Sequence, residues 1–238
     1  MKYFSKICIS TAIALFVFFA GFSSISEVTV FADSTDSSSE ISSELAAADS
    51  YLHPDIEITP TENALKDRLM DFLEDTPGTW SIYVKNLSTD ESFSINNQSM
   101  YAASLIKLFV MEDCFAHLNT MIDNASSDGG SDALGYDYIM GMMADMIEVS
   151  DNDAYYNLVK LRTDADTFVD GCLQINSDIW DYGYYDTGIY HSLVPATTEY
   201  TATSEERNHT SVSDCGELLE KIHRGTCVSE TASKKMLD

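Results

Sequence analysis

Apolar positions along the chain recur at several different intervals, and each change of interval marks a predicted element. Leu65, Leu69, Phe72 and Leu73 fall at helical spacing behind Thr61, a candidate N-cap, so a helix is predicted to begin there. Pro77-Gly78 ends it. Residues 79–87, Thr-Trp-Ser-Ile-Tyr-Val-Lys-Asn-Leu, alternate apolar and polar as a strand does. Ser88-Thr89-Asp90-Glu91 turns the chain, and Ser92-Phe93-Ser94-Ile95 returns as a second strand, which makes a hairpin. A greasy segment follows, Leu105, Ile106, Leu108, Phe109, Val110 and Met111, predicted to be a buried helix. Helical spacing resumes over 137–149, breaks at Ser150-Asp151-Asn152, and continues from Ala154 to Arg162. Residues 174–210 are polar and aromatic without a clear period, so a long loop is expected there. Residues 211–225 read as a capped amphipathic helix with Gly225 at its end. The order of helix, hairpin and helical block predicts an α+β fold.

The first 32 residues follow a different pattern. Lys2 and Lys6 precede an apolar run over 7–22, and Val30 and Ala32 fit a small-residue cleavage rule. This is the pattern of a secretory signal peptide cleaved after Ala32, and the run is short for a membrane span. A secreted protein, on the cell-wall side of the membrane and without stable membrane association after cleavage, is expected. Residues 33–58 are rich in Ser, Asp and Glu and poor in large apolar groups. Such a segment buries too little surface to offset its ordering entropy, so it reads as an acidic tether ahead of a folded domain over 59–238.

Composition changes the picture in two ways. The net charge of −26 repels nucleic acid and anionic membrane surfaces, which removes both from the partners to be considered. After signal cleavage four cysteines remain, Cys114, Cys172, Cys215 and Cys227, scattered without the paired spacing of a metal site. Bridges and buried free thiols both stay open, and no zinc site or cofactor is assigned. A monomer is expected.

Two short constellations carry chemistry. Ser104 and Lys107 stand three apart where the hairpin gives way to the greasy helix. A structural lysine there would snorkel, its stem packed and its head in water. A catalytic lysine would instead lie on the same face as Ser104, lose solvation and become able to take the serine proton, while the helix N-terminus favours charge on the oxygen. Ser150-Asp151-Asn152 reads either as a helix break with its N-cap or as a hydroxyl and an amide aimed into a cleft.

Together these stretches resemble the class A β-lactamases and the penicillin-interactive serine hydrolases around them. That family's Ser-x-x-Lys and Ser-Asp-Asn motifs stand here as Ser104-Leu105-Ile106-Lys107 and Ser150-Asp151-Asn152. Residues 82–96 are similar to the strands before the serine, and 208–237 to the Thr-Ser-x-x-Asp helix segment after the family's long loop. The resemblance covers 61–238. It implies a β-lactamase/transpeptidase-like fold, an all-helical block plus an antiparallel sheet, and an acyl-enzyme mechanism. In it Ser104 is the nucleophile, Lys107 its base, Ser150 the proton relay to the leaving nitrogen and Asn152 the group that holds the substrate amide, with Asp151 ordering the loop. The implied substrates are β-lactams or the peptidoglycan stem peptide. A D-alanyl-D-alanine peptidase, and a catalytically inert wall-binding module that kept the fold, are the competing readings.

The sequence departs from the family pattern twice. Ser233-Lys234-Lys235 is followed by Met236, Leu237 and Asp238 and not by a Lys-Thr-Gly strand. The resemblance expects three further strands and a closing helix, so the chain reads as C-terminally truncated, with only the first hairpin of the sheet present. Second, no Glu-x-x-x-Asn occurs between 174 and 210: Glu199, Glu205 and Glu206 stand at the wrong intervals from Asn208. Without that base, slow deacylation is expected.

Overall fold

The alternation over 79–86 becomes a strand with Ile82 and Val84 buried, and it organises the first part of the chain. The computed structural model describes residues 13–20, 62–126, 132–193 and 206–237. It divides into two units, Ile7–Asn97 and one built on Gln98–Asp238.

The first unit contains β1 (Ile13–Ala20), α1 (Glu62–Glu74), β2 (Thr79–Asn86) and β3 (Ser92–Ile95). The expected hairpin is β2–β3, in antiparallel register with Ile82 opposite Ile95 and Val84 opposite Phe93. Its turn is fixed by Asn86, whose side-chain oxygen accepts from the N–H groups of Ser88 and Thr89 at 3.0 and 3.3 Å. Ile82, Val84 and Phe93 form a small core with Leu65, Leu69 and Leu73 of α1 and Ile95. The sheet is larger than the expected hairpin. Residues 13–20, part of the run read as a leader, pair antiparallel along all of β2, from Ile13 opposite Asn86 to Ala20 opposite Thr79. A two-stranded hairpin is marginal and leaves a row of unpaired backbone groups, and an apolar extended segment satisfies that edge. The rest of the expected leader (1–32), the tether (33–58) and Thr61 lie outside the described residues.

The second unit runs β4 (Met100–Tyr101), a 3₁₀ turn (Ala103–Leu105), α2 (Ile106–Ala116), α3 (Leu118–Ser126), α4 (Asp132–Glu148), α5 (Asn152–Lys160), α6 (Phe168–Asp181), β5 (His209–Thr210), α7 (Val212–His223) and α8 (Glu230–Leu237). Helix α2 is apolar on nearly every side, as a helix at the centre of a bundle must be. It packs against α4, α5, α6 and α7, burying Ile106, Phe109, Val110, Met111 and Cys114. The Phe109 ring meets Tyr184 edge-on, with centroids 5.1 Å apart. Full burial of a side chain such as Phe109 contributes roughly 1.5–3 kcal/mol.

The region expected to be a loop over 174–210 starts as helix. Residues 174–181 complete α6, because Phe168, Cys172, Ile175 and Ile179 form one buried stripe and Thr167 caps the helix, accepting from Asp170 N–H at 3.1 Å. The stripe begins ahead of the aperiodic window, so the window alone conceals it. Gly171 lets α6 approach α5: a Cβ there would lie 1.9 Å from the Val159 carbonyl oxygen. Helix α7 is capped by Ser211 and ends at Gly225, whose φ of +73° allows the closing turn. Cys114, Cys172, Cys215 and Cys227 are all buried free thiols. Among the described residues, no helix is long and apolar enough to cross a membrane.

Candidate active site

Ser104 is placed by a short antiparallel pairing. Met100 lies opposite Thr210 and Tyr101 opposite His209, and Ala102 N–H donates to the Asn208 carbonyl at 2.9 Å. Ala103 then turns with φ at +46°, and Leu105 N–H returns to the Ala102 carbonyl at 3.0 Å. The result is a 3₁₀ turn that carries Ser104, exposed, immediately ahead of α2. Unpaired N–H groups at such a helix start favour negative charge on a nearby oxygen.

Lys107 faces inward from the first turn of α2 and is only 2% exposed. Its Nζ donates to the Ser150 carbonyl at 2.6 Å and to Asn152 Oδ1 at 2.7 Å, and lies 3.1 Å from Ser150 Oγ. Burial pulls its pKa below that of an ordinary lysine, and the Asp151 carboxylate partly opposes the shift. The three contacts depend on an unusual backbone. Ser150 has φ at +58°, which directs both its carbonyl and its hydroxyl at Lys107. Asp151 caps α5 by accepting from Ala154 N–H at 2.7 Å, and Asn152 is the first residue of that helix.

Ser150 Oγ lies 3.1 Å from Ser104 Oγ as well. Lys107 therefore reaches Ser104 through the Ser150 hydroxyl. A hydroxyl both donates and accepts, so the chain runs in either sense. With Lys107 protonated, the ammonium donates to Ser150, and Ser150 donates to Ser104. With Lys107 neutral, the amine still donates to the Ser150 carbonyl and Asn152 Oδ1, and its lone pair accepts from Ser150, which accepts in turn from Ser104. Ser104, Lys107, Ser150 and Asn152 thus meet in one hydrogen-bonded group.

A family model described as the Beta-lactamase enzyme family matches residues 63–238, a span that contains all four residues. The chain belongs to the β-lactamase enzyme family. The match supports a serine hydrolase of β-lactamase-like type and a fold with a helical block and small antiparallel sheets. No curated protein matches the chain.

In this β-lactamase family member the loop after α6 is stitched to the site by Asn152 and by residues outside the Ser-x-x-Lys and Ser-Asp-Asn motifs. Asn152 Nδ2 donates to the Leu193 carbonyl at 3.1 Å, and Tyr155 Oη donates to the His191 carbonyl at 3.2 Å. Asn208 is 1% exposed; its Oδ1 accepts from Tyr190 and His191 N–H at 2.7 and 2.8 Å, and its Nδ2 donates to the His191 carbonyl at 2.8 Å. Asn176 clasps Ile189 in the same way, at 2.6 and 2.8 Å. Asp214 accepts from Asp186 N–H at 3.0 Å and from Thr187 Oγ1 at 2.7 Å, so the Thr-Ser-x-x-Asp segment caps α7 and anchors the loop together. The one signal in the sequence is residue type, since Asn and Asp in aperiodic segments form side-chain bonds to backbone. Glu206 is exposed and lies 3.5 Å from His209, while Glu199 and Glu205 lie outside the described residues.

Proposed function

We propose that the chain is a secreted serine acyl-hydrolase of class A β-lactamase type, which forms an acyl-enzyme with β-lactams on Ser104. The observation that carries this reading is the path from Ser104 Oγ through Ser150 Oγ to a desolvated Lys107 Nζ, in two steps of 3.1 Å. In acylation, Ser104 Oγ attacks the lactam carbonyl carbon while its proton passes to Ser150, whose own proton passes to neutral Lys107. Collapse of the tetrahedral adduct breaks the carbon–nitrogen bond. The leaving nitrogen takes a proton from Ser150, which is restored by Lys107. Each proton is conserved and no cofactor is needed.

Release is slow in this reading. Hydrolysis of the ester needs a base aimed at a water, and the loop offers no Glu-x-x-x-Asn. Losing such a base costs about 10²- to 10⁴-fold in the step it serves. The test incubates the protein with a fluorescent penicillin. The penicillin is expected to label Ser104, located by mass spectrometry, and to leave slowly; Ser104→Ala abolishes the label. Rapid turnover of a chromogenic cephalosporin would refute the slow step. Absence of label, with Ser104→Ala indistinguishable from the parent, would overturn the reading in favour of an inert wall-binding module. Label accompanied by cleavage of a D-alanyl-D-alanine peptide would move the substrate to the peptidoglycan stem.

A further inference from the structure

Two helical turns beyond Lys107, at the far end of α2, five polar side chains meet without any part in the relay. Arg162, 6% exposed, donates from Nε to Asp113 Oδ2 at 2.8 Å and from Nη2 to Asp178 Oδ2 at 2.6 Å. His117 stands one turn after Asp113, and its Nε2 lies 3.7 Å from Asp113 Oδ1, 3.4 Å from Asp178 Oδ2 and 3.2 Å from the Tyr182 hydroxyl. Two carboxyl groups thus share one guanidinium. Asp113 is 0% exposed, and its Oδ1 has no hydrogen-bond partner. A buried carboxylate oxygen in that state lacks compensation for its lost water. It points at the edge of the imidazole.

We propose that Asp113, His117 and Asp178 form a binding site for a divalent cation of the zinc type. The three ligand atoms lie within 4.8 Å of one another. Bonds of about 2.1 Å in a tetrahedron separate neighbouring ligands by roughly 3.4 Å, and the two distances from His117 Nε2, 3.4 and 3.7 Å, already stand near that edge length. One imidazole with two carboxylates suits zinc and its neighbours better than magnesium or calcium, which take oxygen ligands. Arg162 then acts as the outer partner that holds both carboxylates in place, as hydrogen-bonded groups commonly do around metal ligands. The Tyr182 hydroxyl or a water completes the set. A cleft of about 350 Å³, lined by Phe115, Ala116, His117, Leu118, Asn119 and Thr120, has His117 in its wall. The ion would tie α2 to α6 and to the segment that carries Arg162. The spacing of the cysteines gives no hint of such a site, because none of them takes part.

The experiment titrates the chelator-treated full chain with ZnCl₂ by calorimetry and follows thermal unfolding in parallel. One ion per chain and a higher Tm are expected. His117→Ala and the near-isosteric His117→Gln are expected to weaken binding at least about 100-fold, with an unchanged far-ultraviolet spectrum and no zinc-dependent rise in Tm. Cobalt substituted for zinc is expected to give a visible ligand-field spectrum without a thiolate charge-transfer band. Zinc binding that is the same in both His117 variants would overturn the site, as would a thiolate band or the absence of any binding by the folded parent.

Discussion

Replacing Ser150 separates the relay from the backbone that carries it. Its hydroxyl is the middle of the Ser104–Ser150–Lys107 path, and its φ of +58° is a conformation that costs an L-residue with a Cβ roughly 1–2 kcal/mol. Ser150→Ala removes the hydroxyl and keeps the strain. Ser150→Gly removes both, at the cost of a more flexible unfolded chain, about 0.4–1 kcal/mol. The lost hydrogen bonds are common to the two variants and cancel between them. The glycine variant is therefore expected to be the more stable by about 1 kcal/mol, or ~2–4 °C in Tm for a chain of this size. Labelling by fluorescent penicillin should fall about 10²- to 10⁴-fold in both, since neither can pass a proton from Ser104 to Lys107. The Ser150 carbonyl and Asn152 Oδ1 still hold the lysine. Denaturation by urea and stopped-time labelling read by mass spectrometry give both numbers from one preparation. Wild-type labelling by the alanine variant would refute the relay. A labelling rate that recovers in the more stable glycine variant would show that Ser150 matters only through folding.

Labelling should accelerate as pH rises toward the depressed pKa of Lys107 and level off above it, because the neutral amine is the proton acceptor; a rate independent of pH in Ser104 labelling would refute this. Lys107→Arg should be inactive at every pH, as a guanidinium does not deprotonate in this range. Asn208→Ala should destabilise by about 1–3 kcal/mol in urea melts, since it removes the buried amide that accepts from the half-buried Tyr190 and His191 N–H groups. Gly171→Ala should cost about 3 kcal/mol in the same melts, because the new methyl meets the backbone of Val159 and not a side chain that can swing away.

How much was readable in the sequence depended on how locally each feature is encoded. The β2–β3 hairpin is written in the alternation of 79–86 and a turn asparagine, and α7 in Ser211, its apolar stripe and Gly225. The motifs name Ser104, Lys107, Ser150 and Asn152 because each pair is adjacent in the chain. The route from Lys107 to Ser104 is not written there: it depends on a positive φ at Ser150 and on contacts 43 and 46 residues apart. The loop-holding roles of Asn208, Asn176 and Asp214 are hidden for the same reason, since their partners stand 13 to 28 residues away. The end of α6, residues 174–181, is illegible in a window of aromatic and polar residues that leaves out Phe168 and Cys172 before it. The pairing of 13–20 with β2 could not be foreseen either, as an apolar run serves a leader and a strand equally well.

The buried thiols give this molecule four internal clocks. Cys114 sits on α2, Cys172 on α6, Cys215 on α7 and Cys227 in the turn before α8, so each occupies a different part of the helical unit. Burial holds Cys215 up at about 12 and raises the other three as well, so the native thiols are both shielded and protonated. An alkylating reagent can reach them only during an opening, when the thiol returns to a pKa of about 8.5. The rate at which each one is consumed then measures how often its own element comes loose, a tenfold slowing corresponding to about 1.4 kcal/mol of added opening free energy. Four rates read by mass spectrometry would rank the helices around Ser104 by how tightly each is held, with no probe attached and no residue changed.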